Sequence, residues 1–389
     1  MGKIKILHIT KGFPPDMGGI ESYTYELASA FKDKYDVYVL TTHSKLSSSN
    51  EIDGIKVIKV KKIFDFLHAP INLPLFNKIN QINPDIIHFH IPNPLNELYL
   101  LFYLIAKRNK KVIATYHADI PGYTFLHRSL SFFRQFYMHF LMKLFDAIIV
   151  TSNDYISESK ILEKFKERLK VIPMGVDTDL KTFSVNKLKK HYKIENEKIV
   201  LFVGRLFPYK GIEYLISAIP QIIKHYPGVR FAIVGGGEKE AELKKLAKEL
   251  KIDDKIIFTG KVDDKIRNTF YELCDITVLP SINRGEAFGI SLLEAMSFGK
   301  PLITTRIKGS GMNFINKHLT TGLVVEPRDS SQLALAIIKL LTNDKLRKKM
   351  GKNSKKRFLK FFTKDIMLST TEKLYQAVLN RSASNGKNT

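Results

Sequence analysis

Apolar residues along this chain fall into short blocks separated by longer stretches of a different rhythm. In the first half the blocks are 4–10, 36–41, 55–60, 85–90, 111–116 and 147–151. They are rich in Ile and Val, and several are apolar on both faces, which predicts strands buried in a parallel sheet. Stretches such as 21–31 and 96–107 carry helical spacing between them. The pattern restarts at 199–203, 229–234, 256–259, 276–279, 301–305 and 322–325, and from Asp329 the chain reads as helix to about Leu379. Two successive runs of strand–helix–strand predict an α/β protein with two doubly wound, Rossmann-like domains. The segment Val171-Ile172-Pro173-Met174-Gly175-Val176-Asp177 breaks both periodicities and marks the join. The expected division is 1–172, 173–363, a terminal helix over 364–380, and a frayed tail over 381–389. Two such domains are expected to face a central cleft, since open α/β sheets bind ligands beyond the carboxyl ends of their strands.

Length agrees with this reading, because 389 residues at roughly 150 per domain suggest two domains. With 44% apolar and 26% charged residues, collagenous, low-complexity and disordered classes are excluded. The longest apolar run, 98–106, is far short of the roughly 20 residues of a spanning helix. The first ten residues read as a lysine-bearing strand, so no signal peptide is expected there. The single cysteine, Cys274, cannot form an internal disulfide and fits a reducing compartment. The expected location is the cytoplasm, with peripheral attachment to the inner face of the cell membrane in view.

Charge changes the picture. Sixty-two Lys and Arg against thirty-eight Asp and Glu give +24. A lysine-rich solvated surface explains this, as does an anionic partner: a nucleotide substrate, an acidic membrane face or nucleic acid. Nucleic acid is the weakest of these and is not expected, since the chain has no zinc-finger spacing, RNA-binding aromatic signature or basic-zipper heptads.

Candidate chemistry sits where strands end. After the first strand, Gly18-Gly19 opens a helix, where free amides and close backbone approach suit a phosphate or a sugar hydroxyl, although a plain turn explains the same residues. At the second domain's first strand end stand Gly204-Arg205 and Lys210-Gly211, two cations able to neutralise a diphosphate. Gly235-Gly236-Gly237 ends the next strand without the Lys-Ser pair of a Walker loop. The segment 280–296 is the most specific. Glu286 lies in a loop, and Glu294 lies eight positions on, among Leu292, Leu293, Ala295 and Met296, an apolar setting costly for an unpaired carboxylate. One carboxylate suits a ribose and the other a sugar ring. The amides of Phe288, Gly289 and Ile290 stand at the intervening helix start. In 122–145, the apolar positions 126, 130, 133, 137, 140 and 144 follow the helical period, which predicts a core face. Phe125, Phe132 and Phe136 then need a second surface, and a lipid interface suits them.

Gly18-Gly19, Gly204-Arg205 with Lys210-Gly211, and Glu286-Ala-Phe-Gly-Ile-Ser-Leu-Leu-Glu294 together resemble the retaining glycosyltransferases of family 4, over nearly the whole chain. The segment 171–177 is similar to that family's interdomain signature. The resemblance implies a GT-B fold, with the acceptor on the N-terminal domain, the nucleotide-sugar donor on the C-terminal one, and a last helix crossing back. It implies that Arg205 and Lys210 bind the donor diphosphate, that Glu294 holds the ribose, and that Glu286 contacts the donor sugar. It also implies that His117, in Ala114-Thr115-Tyr116-His117, lies near that sugar. No metal or other cofactor is expected, only a GDP- or UDP-hexose as substrate. Lys308-Gly-Ser-Gly-Met-Asn-Phe-Ile-Asn316 departs from the family's usual glycine pair with a downstream Glu. It resembles the subset that builds bacterial surface polysaccharides, mannosyltransferases among them, on glycan or lipid-linked saccharide acceptors. The alternatives on the same fold are a nucleotide-sugar epimerase or hydrolase and a sucrose- or glycogen-synthase-like transferase. The alternative of another class is a non-catalytic nucleotide- or polyanion-binding protein.

Overall fold

A computed structural model describes residues 2–15, 18–44, 48–61, 65–66, 69–70, 75–107, 109–119 and 125–385, with the backbone alone for 42–44, 48–49, 61, 65–66, 69–70, 95, 125–132 and 382–385. The chain divides into two compact units, Met1–Pro173 with Met367–Thr389, and Met174–Ile366.

The first unit is built on strands β1 (Lys5–Thr10), β2 (Asp36–Ser44), β3 (Ser48–Ile52), β4 (Ile55–Lys61), β5 (Ile86–Ile91), β6 (Lys111–Tyr116), β7 (Ala147–Val150) and β8 (Leu169–Val171). Their order in the sheet is β8-β7-β6-β5-β1-β2-β4-β3. All neighbours are parallel except β3 and β4, which pair antiparallel. Hydrophobic patterning did not predict β3. Its cue is the pair Asp53-Gly54, both at positive φ, the two-residue turn that matches strand twist in a hairpin. The second unit carries β9 (Lys198–Val203), β10 (Val229–Val234), β11 (Ile256–Gly260), β12 (Ile276–Leu279), β13 (Leu302–Thr305) and β14 (Gly322–Val325). They form an all-parallel sheet ordered β11-β10-β9-β12-β13-β14, the arrangement of a Rossmann sheet.

The helices that bear on the sites are α1 (Gly19–Phe31), α2 (Pro94–Ala106), α3 (Phe125–Leu144), α4 (Asp264–Leu273), α5 (Ile290–Ser297) and α6 (Lys364–Asn385). The tail read as continuous helix is divided: Asn343 caps a new helix by accepting from the Leu346 amide at 2.9 Å, and α6 begins only at Lys364.

Helix α3 corrects the expected core face. Its buried side is Arg134, Tyr137, Met138, Leu141 and Met142, while Phe133, Phe136 and Phe140 are 55%, 64% and 45% exposed. The cause is a charge pair. Arg134 donates from Nε and Nη2 to both oxygens of Glu97 on α2, at 2.7 and 2.8 Å, and Glu97 also accepts from the Asn93 amide and the Tyr137 hydroxyl. A buried guanidinium without its carboxylate costs about 3–5 kcal/mol, so this pair sets the helix rotation against the apolar count. Positions 122–124 lie outside the described residues, as do the side chains of Phe125, Leu126, Leu130 and Phe132.

The core of the first unit is unusual on one sheet face. Register places His8 opposite His88 and His90 opposite Thr115. Side chains alternate along a strand, so His8, His88, His90, Thr115 and, just past β6, His117 share that face. All four imidazoles are at most 5% exposed. Tyr23 of α1 packs its ring edge against His90 and His117, and the Tyr375 hydroxyl of α6 meets His88 Nδ1 at 2.6 Å. Burial holds these histidines neutral, pushing His8 and His117 down to about 3 and His88 and His90 well below the ordinary range. At His8 and His117 the unfolded chain takes up protons below the ordinary 6.5, while the folded chain refuses them until about pH 3. Stability is therefore lost as pH falls through that window, by about 1.4 kcal/mol per histidine per pH unit. Urea midpoints between pH 7 and 4.5 are expected to fall more steeply for the wild-type protein than for His8→Phe. Equal slopes would refute the assignment.

Candidate functional site

In the second unit, β9 and β12 are adjacent and parallel, so the loops that follow them leave the same end of the sheet. The first contains Gly204, Arg205 and a short 3₁₀ turn, Pro208–Lys210. The second runs over 280–289 into α5. The Ile282 amide donates to the Tyr209 carbonyl at 2.9 Å. Gly211 sits at φ +64° with the Pro280 carbonyl where a Cβ would stand, so only glycine allows the two loops to close on each other. That closure joins two motifs 76 residues apart. Lys210 Nζ donates to Glu286 Oε2 at 2.5 Å, and Ser281 Oγ reaches the same oxygen at 3.3 Å. Both partners of the ion pair are buried. Among the described residues Oε1 of Glu286 has no partner, and the ammonium keeps two further donors.

The segment that departs from the family pattern braces this loop. Ser310 Oγ donates to the Glu286 carbonyl at 2.6 Å, and the Gly311 amide donates to the Ala287 carbonyl at 2.8 Å. Sequence reasoning noted this segment but gave Ser310 no role. The small residues in it were the available signal, since a Cβ on Gly311 would overlap the Phe288 ring. Beyond Glu286, Phe288 is buried, Gly289 caps α5 at φ +96°, and Ile290 opens the helix. Among the described residues no group accepts a hydrogen bond from the amides of Phe288, Gly289 or Ile290. Three free amides at the positive end of a helix suit an anion.

Arg205 is exposed, with its guanidinium 4.8 Å from the Phe207 ring centroid. It has no carboxylate partner among the described residues. The Lys210–Glu286 ion pair balances its own charge, so Arg205 and the α5 amides add positive charge at this end of the sheet. Gly204, at φ +155°, lies against Lys210 Nζ, and Gly235 lies against the Gly204 carbonyl, so the triple-glycine loop packs on the Arg205 loop.

Glu294 has a separate set of partners. Its Oε2 accepts from the Tyr271 hydroxyl at 2.8 Å and its Oε1 pairs with Arg267 Nη2 at 3.2 Å, both on α4. Burial pushes its carboxyl above the ordinary range, and Arg267 and Tyr271 oppose that push. No spacing rule in the sequence links Arg267 or Tyr271 to Glu294. The pairing arises because α4 and α5 pack together.

In the first unit, Gly18 caps α1 and Gly19 opens it, while Asp16 and Met17 lie outside the described residues. The Glu21 carboxylate folds over Gly12 and Gly18. A protein carboxylate therefore already sits beside this helix start, which favours a hydroxyl ligand over a phosphate. His117 is 5% exposed, its Nε2 lies 3.2 Å from His90 Nδ1, and its own Nδ1 has no hydrogen-bond partner among the described residues.

Comparison with known proteins bears on both units. The family model described as Glycosyltransferase Family 4 matches residues 17–180, and that described as Glycosyl transferases group 1 matches 184–357. O-antigen chain mannosyltransferase C of Escherichia coli is 31% identical over 382 residues, covering 97% of this chain and 99% of that protein. D-rhamnosyltransferase WbpZ of Pseudomonas aeruginosa is 31% identical, covering 92% of each. The solved structure of HepE from Anabaena in complex with UDP superposes with a TM-score of 0.77 at 20% identity, covering 96% of this chain and 100% of that one. Matched in both halves by these models, and end to end by a relative at 31% identity, the chain belongs to glycosyltransferase family 4 and has its GT-B fold.

Proposed function

We propose that this enzyme moves a hexose from a GDP- or UDP-sugar to a glycan or lipid-linked saccharide in the synthesis of a cell-surface polysaccharide, retaining the donor's anomeric configuration. The observation that carries the site is the Lys210–Glu286 pair, at the end of β9 and β12, beside the unbonded amides of Phe288, Gly289 and Ile290. Relatives named as an O-antigen mannosyltransferase and a D-rhamnosyltransferase support the surface-polysaccharide setting. HepE, solved with UDP, supports a nucleotide-sugar donor.

In this reading Arg205, Lys210 and the α5 amides hold the diphosphate. The bond from the anomeric carbon to the phosphate oxygen breaks with its electron pair passing to that oxygen, an acceptor hydroxyl oxygen bonds to the same carbon on the same face, and the hydroxyl's proton passes to the departing diphosphate. These same groups meet the growing negative charge, which is the largest catalytic contribution. Glu286 fixes Lys210 through Oε2 and offers Oε1 to a sugar hydroxyl. Glu294, oriented by Tyr271 and Arg267, accepts from the ribose hydroxyls. Gly18 and Gly19 offer backbone to a sugar hydroxyl, and His117 contacts the donor sugar. The exposed Phe133, Phe136 and Phe140, with Lys143 5.9 Å from the Phe140 ring centroid, favour peripheral attachment to an anionic membrane face.

Glu286→Ala and Glu294→Ala are each expected to lower transfer at least ~100-fold, on the order of 3 kcal/mol. Glu294→Ala should also lower Tm, because it strips the buried Tyr271 hydroxyl of its acceptor and leaves Arg267 with Asp264 alone as a carboxylate partner among the described residues, whereas Glu294→Gln keeps the Tyr271 bond and restores much of that loss. Near-wild-type turnover in either alanine variant would remove the residue from the site. Transfer should survive excess EDTA, since two side-chain cations and helix amides oppose the diphosphate, and proton NMR should show product and donor with the same anomer. Loss with EDTA reversed by Mn²⁺, or an inverted product, would overturn those two points. The protein should sediment with vesicles containing anionic lipid at low salt, and Phe136→Ser with Phe140→Ser should weaken this several-fold. Absence of sedimentation by the wild-type protein would end the membrane reading.

A further inference from the structure

The transfer just described uses only one of the four buried imidazoles of the first unit. Three of them form a bonded chain. His8 Nδ1 lies 3.2 Å from His90 Nε2, and His90 Nδ1 lies 3.2 Å from His117 Nε2. Both pairs of rings are near-parallel, at 22° and 5.5 Å between centroids. At the two ends, His8 Nε2 and His117 Nδ1 are buried without a partner among the described residues. His88 stands outside the chain. Its nitrogens lie 2.6 Å from the Tyr375 and Thr115 hydroxyls, and its ring stacks on His90 at 4.6 Å.

Burial keeps all of these rings neutral, so each carries one N–H. His90 has a single proton and two imidazole partners. It can donate in one bond only and must accept in the other, so the protons along the chain all point the same way. They run either toward His117, whose Nδ1 then carries an N–H, or toward His8, whose Nε2 then carries one. Each arrangement leaves one N–H unpaired, and an unpaired buried donor is costly. His8 is 0% exposed, and a donor on its Nε2 would remain unpaired with ligand bound. His117 is 5% exposed at the end of β6, where a ligand atom can pair with it.

We propose that His90, held by His8, is a positioning residue that fixes His117 as its Nδ1–H tautomer, presenting a neutral hydrogen-bond donor to an oxygen of the bound substrate. That the oxygen belongs to the donor sugar rests on the function proposed above, whereas the tautomer itself does not. Nitrogens of His8, His88 and His90 lie within 4.8 Å of one another, a spacing a divalent ion could use. Both nitrogens of His88 are already taken by hydroxyls and His8 is bonded to His90, so the bonded chain is the arrangement the geometry supports.

The test is two-bond ¹H–¹⁵N correlation on histidine-labelled, ligand-free protein near pH 7.5, which distinguishes protonated from bare ring nitrogens. His117 is expected to be protonated at Nδ1 and bare at Nε2. In His90→Phe the ring remains but the bonds go, and the proton should move largely to Nε2 of His117, with kcat/KM falling at least ~10-fold. In His90→Asn the side-chain amide can still donate to His117 Nε2, so the Nδ1–H tautomer and most of the activity should return. A proton on Nε2 of His117 in the wild-type protein would overturn the proposal. So would an unchanged tautomer with full turnover in His90→Phe, or tight Zn²⁺ binding by the wild-type protein that His8→Phe abolishes. Should His90→Phe fail to fold, the wild-type and His90→Asn spectra decide alone. Absence of transfer from every sugar nucleotide would refute the proposed function while leaving the tautomer result standing.

Discussion

Parallel pairing between neighbouring strands is the constraint on which each site depends. In the second unit Val200 pairs with Ile276 and Leu201 with Thr277, so β9 and β12 end together and release their loops at the same edge. That shared edge, with the loop closure that Gly211 permits, is what brings Lys210 and Glu286 together. An antiparallel pairing would have sent the two loops to opposite ends of the sheet. In the first unit the same rule, with a side-chain period of two, stacks His8, His88, His90 and Thr115 on one face and aims His117 from the strand end.

Once backbone order has brought these groups together, their burial decides their chemistry. Lys210 and Glu286 tolerate burial because each is the other's partner, and Glu294 because Tyr271 and Arg267 hold its oxygens. The histidines take the other route and remain neutral. Arg134 and Glu97 follow the first route within the N-terminal unit, and there the pairing overrides the apolar count and turns three phenylalanines outward. Among the described residues, the buried charges named above each face an opposite charge, and the buried imidazoles carry none.

The candidate site sets an open cation beside a held one. Among the described residues Arg205 has no carboxylate partner, while Lys210 is held in place by Glu286, whose Oε1 is left open. A cation orientated in advance costs less reorganisation as negative charge grows on a leaving phosphate than one that must be drawn in. Ser310, from the segment that departs from the family's common pattern, fastens the same loop through its backbone.

Much of this was legible in the chain itself. The Ile- and Val-rich blocks located the buried strands of both sheets, because a strand covered on both faces must be apolar at nearly every position. Glycines beside cations and carboxylates marked the two strand-end loops that the structure brings together, because close loop approach needs residues without a Cβ. The tertiary structure alone decided the partners: that Glu294 faces Arg267 and Tyr271, that Arg134 rather than Phe133 turns inward, and that His8, His90 and His117 touch. Those contacts join residues 23 to 82 positions apart across strands or packed helices, and no local period encodes which side chain of one element meets which side chain of another.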